Sequence, residues 1–574
     1  MDPRDRTSSS SVLSRGMMSM LLRRHPPPAE FGDNELSALK DLVEAMTQAL
    51  SQGEMSVDLG SGEQEPSGLE AIGWPETHRR VLEASGWLHR DPVLMVMEGD
   101  HLLWRRWHQG METLEQTLIQ RSTLPPVGNP HRRHSGNDIK SVALDQQFNL
   151  EQLAAVHAVS DHRVVLLSGG PGTGKTSTVR AMLIQAMADR EDLRIHLAAP
   201  TGKAARRLQD AIRGDQRTSE LPCTTLHRLL QARPGGFSRH RRNPLALDLL
   251  VVDEASMIDL TLAQALMDAL PDTAQLLLVG DANQLPPIGV GAVWQHLQKT
   301  DLQLQFGAAA VRLHQVYRNR GDLARLSSLL CRRGAEAFWA DLADLDDKAD
   351  HKAENESDDE SNVHQLLSRS SEFPAAVTDA VNQQLENLKS AAHNLKVRPD
   401  GSPDPDLAHD LLERLDALIV LCPRRRGLWG VDSLHRQLVS GTDAGDWPEG
   451  LPVLCSDNQM ELGLANGDLG LCIGSGETRR LLFRCSDDSG NGLYRLLHPA
   501  RVRRIEPALA LTIHKAQGSE ADQVVLLWPP CDDASNTALL YTAITRARHQ
   551  LTVVRLASSK SSGMLGAIDR QGSV

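Results

Sequence analysis

Short, nearly unbroken apolar runs recur along the chain, each closed by a polar, glycine-bearing turn. Val164-Val165-Leu166-Leu167, Ile195-His196-Leu197-Ala198-Ala199, Leu247 to Val252 and Gln275 to Val279 are of this kind. Runs of that length with no polar alternation predict strands covered on both faces, as in a parallel sheet. The stretch Thr178 to Met187 between the first two is long enough for a helix. Strand and helix therefore alternate, and the polar turns fall where strands end. In such α/β sheets ligands sit at the carboxyl edge of the strands. A second series begins at Ala417 to Cys422 and resumes with Val524 to Trp528 and Leu551 to Val554. It predicts a second parallel-sheet domain. Between its pieces, residues 450–505 are punctuated by Gly and Asp with short apolar stretches, which predicts a small inserted β domain.

Ahead of the first series, Leu36 to Met46 has helical spacing. Pro92 to Met97 and His101 to Trp104 flank the turn Glu98-Gly99-Asp100 as a strand pair, and a helix runs from Met111 to Arg121. The expected organisation is a flexible N-terminus at 1–30, a small α+β domain at 31–125 and a linker at 126–144. A first P-loop domain follows at 145–307, carrying a basic hairpin or mobile loop near 232–245. A second is built from 308–430 and 506–574, with the small β domain at 431–505 inserted.

Composition changes this picture in two places. The 574 residues carry a formal net charge of -13, which taken alone disfavours a nucleic-acid partner. Residues 341–361, however, hold ten Asp and Glu against two Lys, and such a block is expected to stay disordered and solvated. The seven cysteines form no C-x-x-C pair, which disfavours a disulfide framework or a zinc site and makes the cytoplasm the default. No apolar run reaches the roughly 18 residues of a membrane span.

The turns carry the chemistry. Gly169-Gly170-Pro171-Gly172-Thr173-Gly174-Lys175-Thr176 fits the phosphate-binding pattern G-x-x-x-x-G-K-[ST], between a strand and a helix as its mechanics require. Lys175 is expected at the outer phosphates and the Thr176 hydroxyl on Mg²⁺. Asp253 and Glu254 end the next-but-one strand, where one carboxylate can hold the metal and the other orient the attacking water. Gln284 follows the fourth strand and could sense the γ-phosphate. Gln152, before the phosphate loop, either reads the adenine edge or is a surface glutamine. Thr201 and Lys203 suit a phosphate-backbone contact, or a solvated basic face. Arg424-Arg425-Arg426 beside Trp429 suits single-stranded nucleic acid. Arg546, on a helix without a nearby acid in sequence, is either a salt-bridge partner or an arginine reaching across a domain gap to the γ-phosphate.

Taken in order, G-G-P-G-T-G-K-T, A-P-T-G-K-A-A, V-V-D-E-A-S-M, G-D-A-N-Q-L-P-P, V-Y-R-N, T-I-H-K-A-Q-G-S-E and Y-T-A-I-T-R-A-R resemble the superfamily 1 DNA helicases, and among them the RecD branch. The resemblance covers roughly 145–330 and 415–556. It implies two RecA-like P-loop domains, ATP and Mg²⁺ as cofactors, and 5′-to-3′ movement on single-stranded DNA entered from a duplex end. It also implies partner subunits corresponding to RecB and RecC in an exodeoxyribonuclease V complex, whose nuclease centre lies in another subunit. By that resemblance Gln152 matches an adenine-reading glutamine, and Lys175, Thr176, Asp253, Glu254 and Gln284 match nucleotide-site residues. Gly518 and Glu520 fall in the same set. Arg318 and Arg546 match the two arginines that close on the γ-phosphate, and Thr201, Lys203, His227, Thr512 and His514 fall in motifs that hold or couple to DNA. The acidic tract and the first 30 residues are not part of the family pattern. A nucleotide-gated regulatory subunit and a stand-alone helicase are the competing readings.

Overall fold

In the computed structural model, residues 3–61, 63, 69, 72–127, 148–190, 192–317, 321–352, 362–439, 446–486, 492–530 and 537–557 are described. Six parallel strands form the first sheet, in the order Ala310–Leu313, Val164–Gly169, Gln275–Gly280, Leu249–Val252, Ile195–Ala199, Cys223–Thr225. The chain leaves Val164–Gly169, enters the sheet again three places away, and fills the gap later. That reversal opens a crevice at the carboxyl edge beside Gly169.

The apolar runs split their side chains between two cores, as the strand period of two demands. Leu166, Leu250, Val252 and Leu278 face the helices Arg105–Ser122 and Leu260–Ala269. Val165, Leu249, Val251 and Val279 face Leu150–Asp161, Lys175–Asp189 and Gly202–Ile212. Each fully buried Leu or Val contributes on the order of 1.5–3 kcal/mol relative to exposure. The sheet is therefore a rigid base for the turns above it.

The second sheet is also all parallel, in the order Val363–Ser368, Ala547–Leu556, Ala521–Trp528, Leu418–Cys422, Ala510–Thr512. Between its last two strands the chain builds a five-stranded antiparallel sheet from Pro452–Cys455 to Ile505–Pro507. The two share one core, in which Val420 and Val525 of the parallel sheet meet Val453 and Phe483 of the antiparallel one. At the front of the chain, Ser56–Asp58, His101–Trp104 and Met95–Glu98 make a small antiparallel sheet under three helices. Its continuation, Arg105–Ser122, sends Met111, Leu114 and Leu118 into the first sheet's core.

Several expectations need correction. Residues 1–30 are not uniformly irregular: Pro3–Arg24 is a helix. Ser14, Met18, Leu21 and His25 are buried at helical spacing against Asp33–Ser51, a stripe hidden in a Ser- and Arg-rich composition. The acidic block is not structureless at its start. One kinked helical span, Asp322–Lys352, runs into it, turning at Gly334 (φ 78°), and Leu342 is buried in the second sheet's core. Residues 353–361 lie outside those described, as does most of the proposed linker. The expected boundary at 307/308 precedes a strand, Ala310–Leu313, that pairs with Val164–Gly169 and so belongs to the first sheet. The 362–413 stretch, read as helical, opens with the edge strand Val363–Ser368. Of the two readings of the basic segment near 232–245, the hairpin is the one formed, pairing Ala232–Arg233 with Gly236–Phe237. Trp429 is no stacking platform. It is 1% exposed and donates its indole N–H to the Ser371 and Glu372 carbonyls at 3.1 and 3.2 Å.

Candidate functional site

The phosphate loop is shaped by two left-handed glycines, Gly172 (φ 71°) and Gly174 (φ 82°), a conformation that side chains with a Cβ disfavour. At Gly174 a Cβ would also lie 2.7 Å from Gln152 Nε2. The Thr173 hydroxyl donates to the Gly170 carbonyl at 2.9 Å and closes the turn. Helix Lys175–Asp189 begins without any side-chain cap, so its first N–H groups have no intrahelical or capping partner. Such a start is a cradle for phosphate. Lys175 Nζ donates to the Gly169 and Gly170 carbonyls at 2.7 and 2.9 Å, which suspends the ammonium over the loop.

A cleft of about 810 Å³ opens above it, lined on this side by Lys175, Thr176, Asp253, Glu254 and Gln284. Asp253 N–H donates to the Ala198 carbonyl (2.9 Å), continuing the strand ladder, and Glu254 then adopts φ 53° with its N–H on Asp253 Oδ1 (2.9 Å). Burial first, and the Glu254 charge second, push the Asp253 carboxyl above its ordinary range, while Lys175 and Arg207 draw it partway back. A carboxylate disfavoured in this way suits a cation. Gln284 is buried, and its Oε1 has no partner among the described residues. The uncapped helix start, the cation-seeking carboxylate and the unpartnered amide oxygen together fit a nucleotide with its divalent ion.

The opposite wall comes from the second sheet and includes Glu520, Arg546 and Arg548. Arg546 is 2% exposed, and its guanidinium donates to the Thr542 and Ser519 carbonyls and the Thr545 hydroxyl at 2.9–3.2 Å. It is thus held within its own unit at the cleft surface. Gly518 (φ 71°) brings the chain against the first unit, where a Cβ would lie 3.2 Å from Thr201 Oγ1. Glu520 pairs with Arg207 across the boundary at 2.6 Å and with Arg548 at 3.3 Å. Arg318 lies outside the described residues.

Other expected residues take different places. Gln152 is no surface glutamine: at 3% exposure its Oε1 accepts from Asn149 N–H (3.0 Å) and its Nε2 donates to the Thr173 carbonyl (3.4 Å). It caps its own helix and braces the loop. Thr201 and Thr512 are both caps, accepting from Ala204 and Lys515 N–H. Lys203 does not form a solvated basic face. It pairs with Asp416 of the second unit at 3.0 Å and lines the nucleotide cleft. His227 sits 6.0 Å from the Phe237 ring, in a separate small pocket with Arg206 and Asp468, and burial lowers its pKa. His514 lies on the short turn Ile513–Ala516. Residue-level reading missed Arg206, Arg207, Asp416, Asp468 and Tyr541. The basic pair was visible after A-P-T-G-K-A-A, but its acidic partners lie more than 200 positions away and leave no local signal.

Residues 152–290 match the family model of the AAA domain, and residues 507–554 that of the UvrD-like helicase C-terminal domain. The RecBCD enzyme subunit RecD of Mycolicibacterium smegmatis (strain ATCC 700084 / mc(2)155) is 32% identical over 94% of this chain and 92% of its own. The RecBCD enzyme subunit RecD of Haemophilus influenzae is 28% identical over 68% and 66%. The ATP-dependent RecD2 DNA helicase of Deinococcus radiodurans is 31% identical over 74% of this chain but only 51% of its own. Among solved structures, Bacteroides Pif1 bound to ssDNA covers 75% of this chain and 98% of its own at a TM-score of 0.39 and 16% identity, too distant a likeness to bear on function. With two parallel sheets facing one nucleotide cleft, and relatives of this similarity along nearly its whole length, the chain belongs to the RecD family.

Proposed function

We propose that this chain is the ATP-driven helicase subunit of a RecBCD-type complex, moving 5′-to-3′ on single-stranded DNA drawn from a duplex end. Its partners are then subunits corresponding to RecB and RecC, and the nuclease centre belongs to another subunit. The observation that carries the reading is a single cleft with a phosphate loop and acidic pair on one wall and Glu520 and Arg546 on the other. A binding module needs only the first wall. A machine that converts hydrolysis into domain movement needs both.

In this mechanism the glycine loop and the start of helix Lys175–Asp189 hold the phosphates, and Lys175 turns its ammonium from the loop carbonyls toward the outer ones. The Thr176 hydroxyl and the Asp253 carboxylate would hold Mg²⁺, which would supply neutralisation of charge on the phosphate oxygens. Glu254 orients the attacking water and takes its proton, and Gln284 presents its free amide oxygen to the same space. Arg546 supplies positive charge from the second unit as the cleft closes, and Arg318 is the other arginine proposed for that role. Gln152 braces the loop and reaches adenine only by exchanging one of its present contacts. Closure and opening displace the two sheets, and Thr201, Lys203, His227, Thr512 and His514 are the positions proposed to pass that displacement to DNA.

Lys175→Gln should lower DNA-stimulated ATP hydrolysis by at least about 100-fold, since it removes a charge aimed at the transferring phosphoryl group. The melting temperature should stay within about 3 °C, because the residue is not part of a core. A variant that hydrolyses ATP at the wild-type rate contradicts the assignment.

A further inference from the structure

The helix Thr537–Ile544 of the second unit sends the buried side chain of Tyr541 across the boundary between the two sheets. Its hydroxyl donates to Asp281 Oδ2 at 3.0 Å. The same oxygen accepts from Gln284 Nε2 at 3.4 Å, and Asp281 Oδ1 accepts from Asn283 N–H at 3.0 Å. Two more bonds from the second unit hold the same segment: Leu285 N–H donates to Thr542 Oγ1 (2.9 Å), and its carbonyl accepts from Gln517 Nε2 (3.1 Å). Residues 281–285 are thus covalently part of the first sheet but gripped by the second. The tyrosine hydroxyl also stands against the phosphate loop, where a Cβ on Gly170 would lie 3.0 Å from it.

With the Asp281 carboxyl ionised, the chain of donors and acceptors has one consistent direction. A phenol can donate to the carboxylate, the carboxylate only accepts, and the Gln284 amide therefore turns its NH₂ inward. Its oxygen is left buried, unpartnered among the described residues, on a side chain that lines the cleft with Lys175 and Glu254. That oxygen can accept a hydrogen bond from a water placed for attack. We infer that Tyr541 is a positioning residue for ATP hydrolysis, holding Gln284 through Asp281 only while the two units are closed on each other. The inference rests on the helicase reading above. It adds a route by which closure of the second unit reaches a hydrolytic group of the first without touching the nucleotide. The Asp281 carboxyl, 1% exposed, is pushed up by burial and drawn back by Lys175, the Asn283 N–H and Tyr541, so removing the hydroxyl disturbs it directly.

The test is steady-state ATP hydrolysis by the full chain with saturating single-stranded DNA, comparing Tyr541→Phe, Gln284→Ala and the double variant. Tyr541→Phe should lower kcat about 10-fold and change the KM for ATP by less than about twofold, because the residue does not line the cleft proposed for the nucleotide. In the Gln284→Ala background the same change should add less than about twofold, since the group it positions is gone. An unchanged kcat in Tyr541→Phe, or effects that multiply in the double variant, overturn the inference. If Tyr541→Phe does not fold, Asp281→Asn weakens the relay at its centre and must show the same dependence on Gln284. A wild-type chain without DNA-stimulated hydrolysis overturns the helicase reading itself. An active wild type with independent effects overturns only the positioning role.

Discussion

Trp429 joins the core under the second parallel sheet while its backbone sits at φ 52° and its indole N–H is satisfied by two carbonyls. Trp429→Ala should destabilise the protein by about 3–5 kcal/mol, the range for deleting a large buried aromatic. Chemical denaturation measures this, and a loss below about 1 kcal/mol would return the side chain to the surface. Two histidines make a second residue-scale prediction. His196, against Thr224 Oγ1 at 2.9 Å, and His435, whose Nε2 accepts from Ala510 N–H at 3.3 Å, are both lowered to about 4, chiefly by burial. The unfolded chain, with histidines near 6.5, therefore binds more protons between pH 4 and 6.5. Their contribution is complete above pH 6.5 and is lost as the pH falls toward 4, at no more than about 1.4 kcal/mol per pH unit each. His435→Gln should flatten the slope of stability between pH 5 and 6.5, and an unaltered slope would contradict this. Residue identity alone exposed neither case. Trp429 follows three arginines, which suits a nucleic-acid surface equally well until its burial is known. Lys175, Asp253 and Glu254 were legible because a pattern and a preceding strand fix where they must sit.

The helix Gly202–Ile212 joins the two halves of the molecule. Ala205, Leu208 and Ile212 are buried against the first sheet, and Lys203, Arg206 and Arg207 share another face by their spacing of three and four. These meet Asp416, Asp468 and Glu520 at 3.0, 2.6 and 2.6 Å. Asp468 is 1% exposed, so removing its partner strands a buried charge. Arg206→Ala should cost about 3–5 kcal/mol in the docking of the antiparallel sheet on the first, the range for breaking a buried pair from one side. Faster proteolysis within 446–507 is the readout, and Asp468→Asn in the same chain should relieve much of it. Equal cleavage rates for Arg206→Ala and wild type would show that the pair does not hold the units together. The basic residues after the strand were legible but their partners were not, being 213 and 262 positions away for Lys203 and Arg206. The amphipathic stripe of Pro3–Arg24 was obscured by composition in the same way. The edge strand Val363–Ser368, six residues with two polar positions inside, offers no clear period at all.

At the scale of the molecule, two parallel sheets present their loop-bearing sides to one cleft, and the antiparallel sheet is carried by the second of them. The order of motifs made that plan readable, since each strand-ending turn carried its own chemistry. Which turns would touch could not be read, because ion pairs and the grip on residues 281–285 depend on packing between segments hundreds of positions apart. The charge of -13 gave no guide to function either, as the acidic stretch at 341–361 accounts for most of it. Nor is any helix among the described residues long and apolar enough to cross a membrane. The central claim is that ATP turnover in this cleft drives directional movement on DNA. Strand displacement by the purified full chain, on duplexes carrying a single-stranded tail at either the 5′ or the 3′ end, tests it most directly. ATP-dependent displacement from the 5′-tailed duplex alone, lost with Lys175→Gln, is the predicted result. Displacement that ignores tail polarity, or that survives Lys175→Gln, would contradict it.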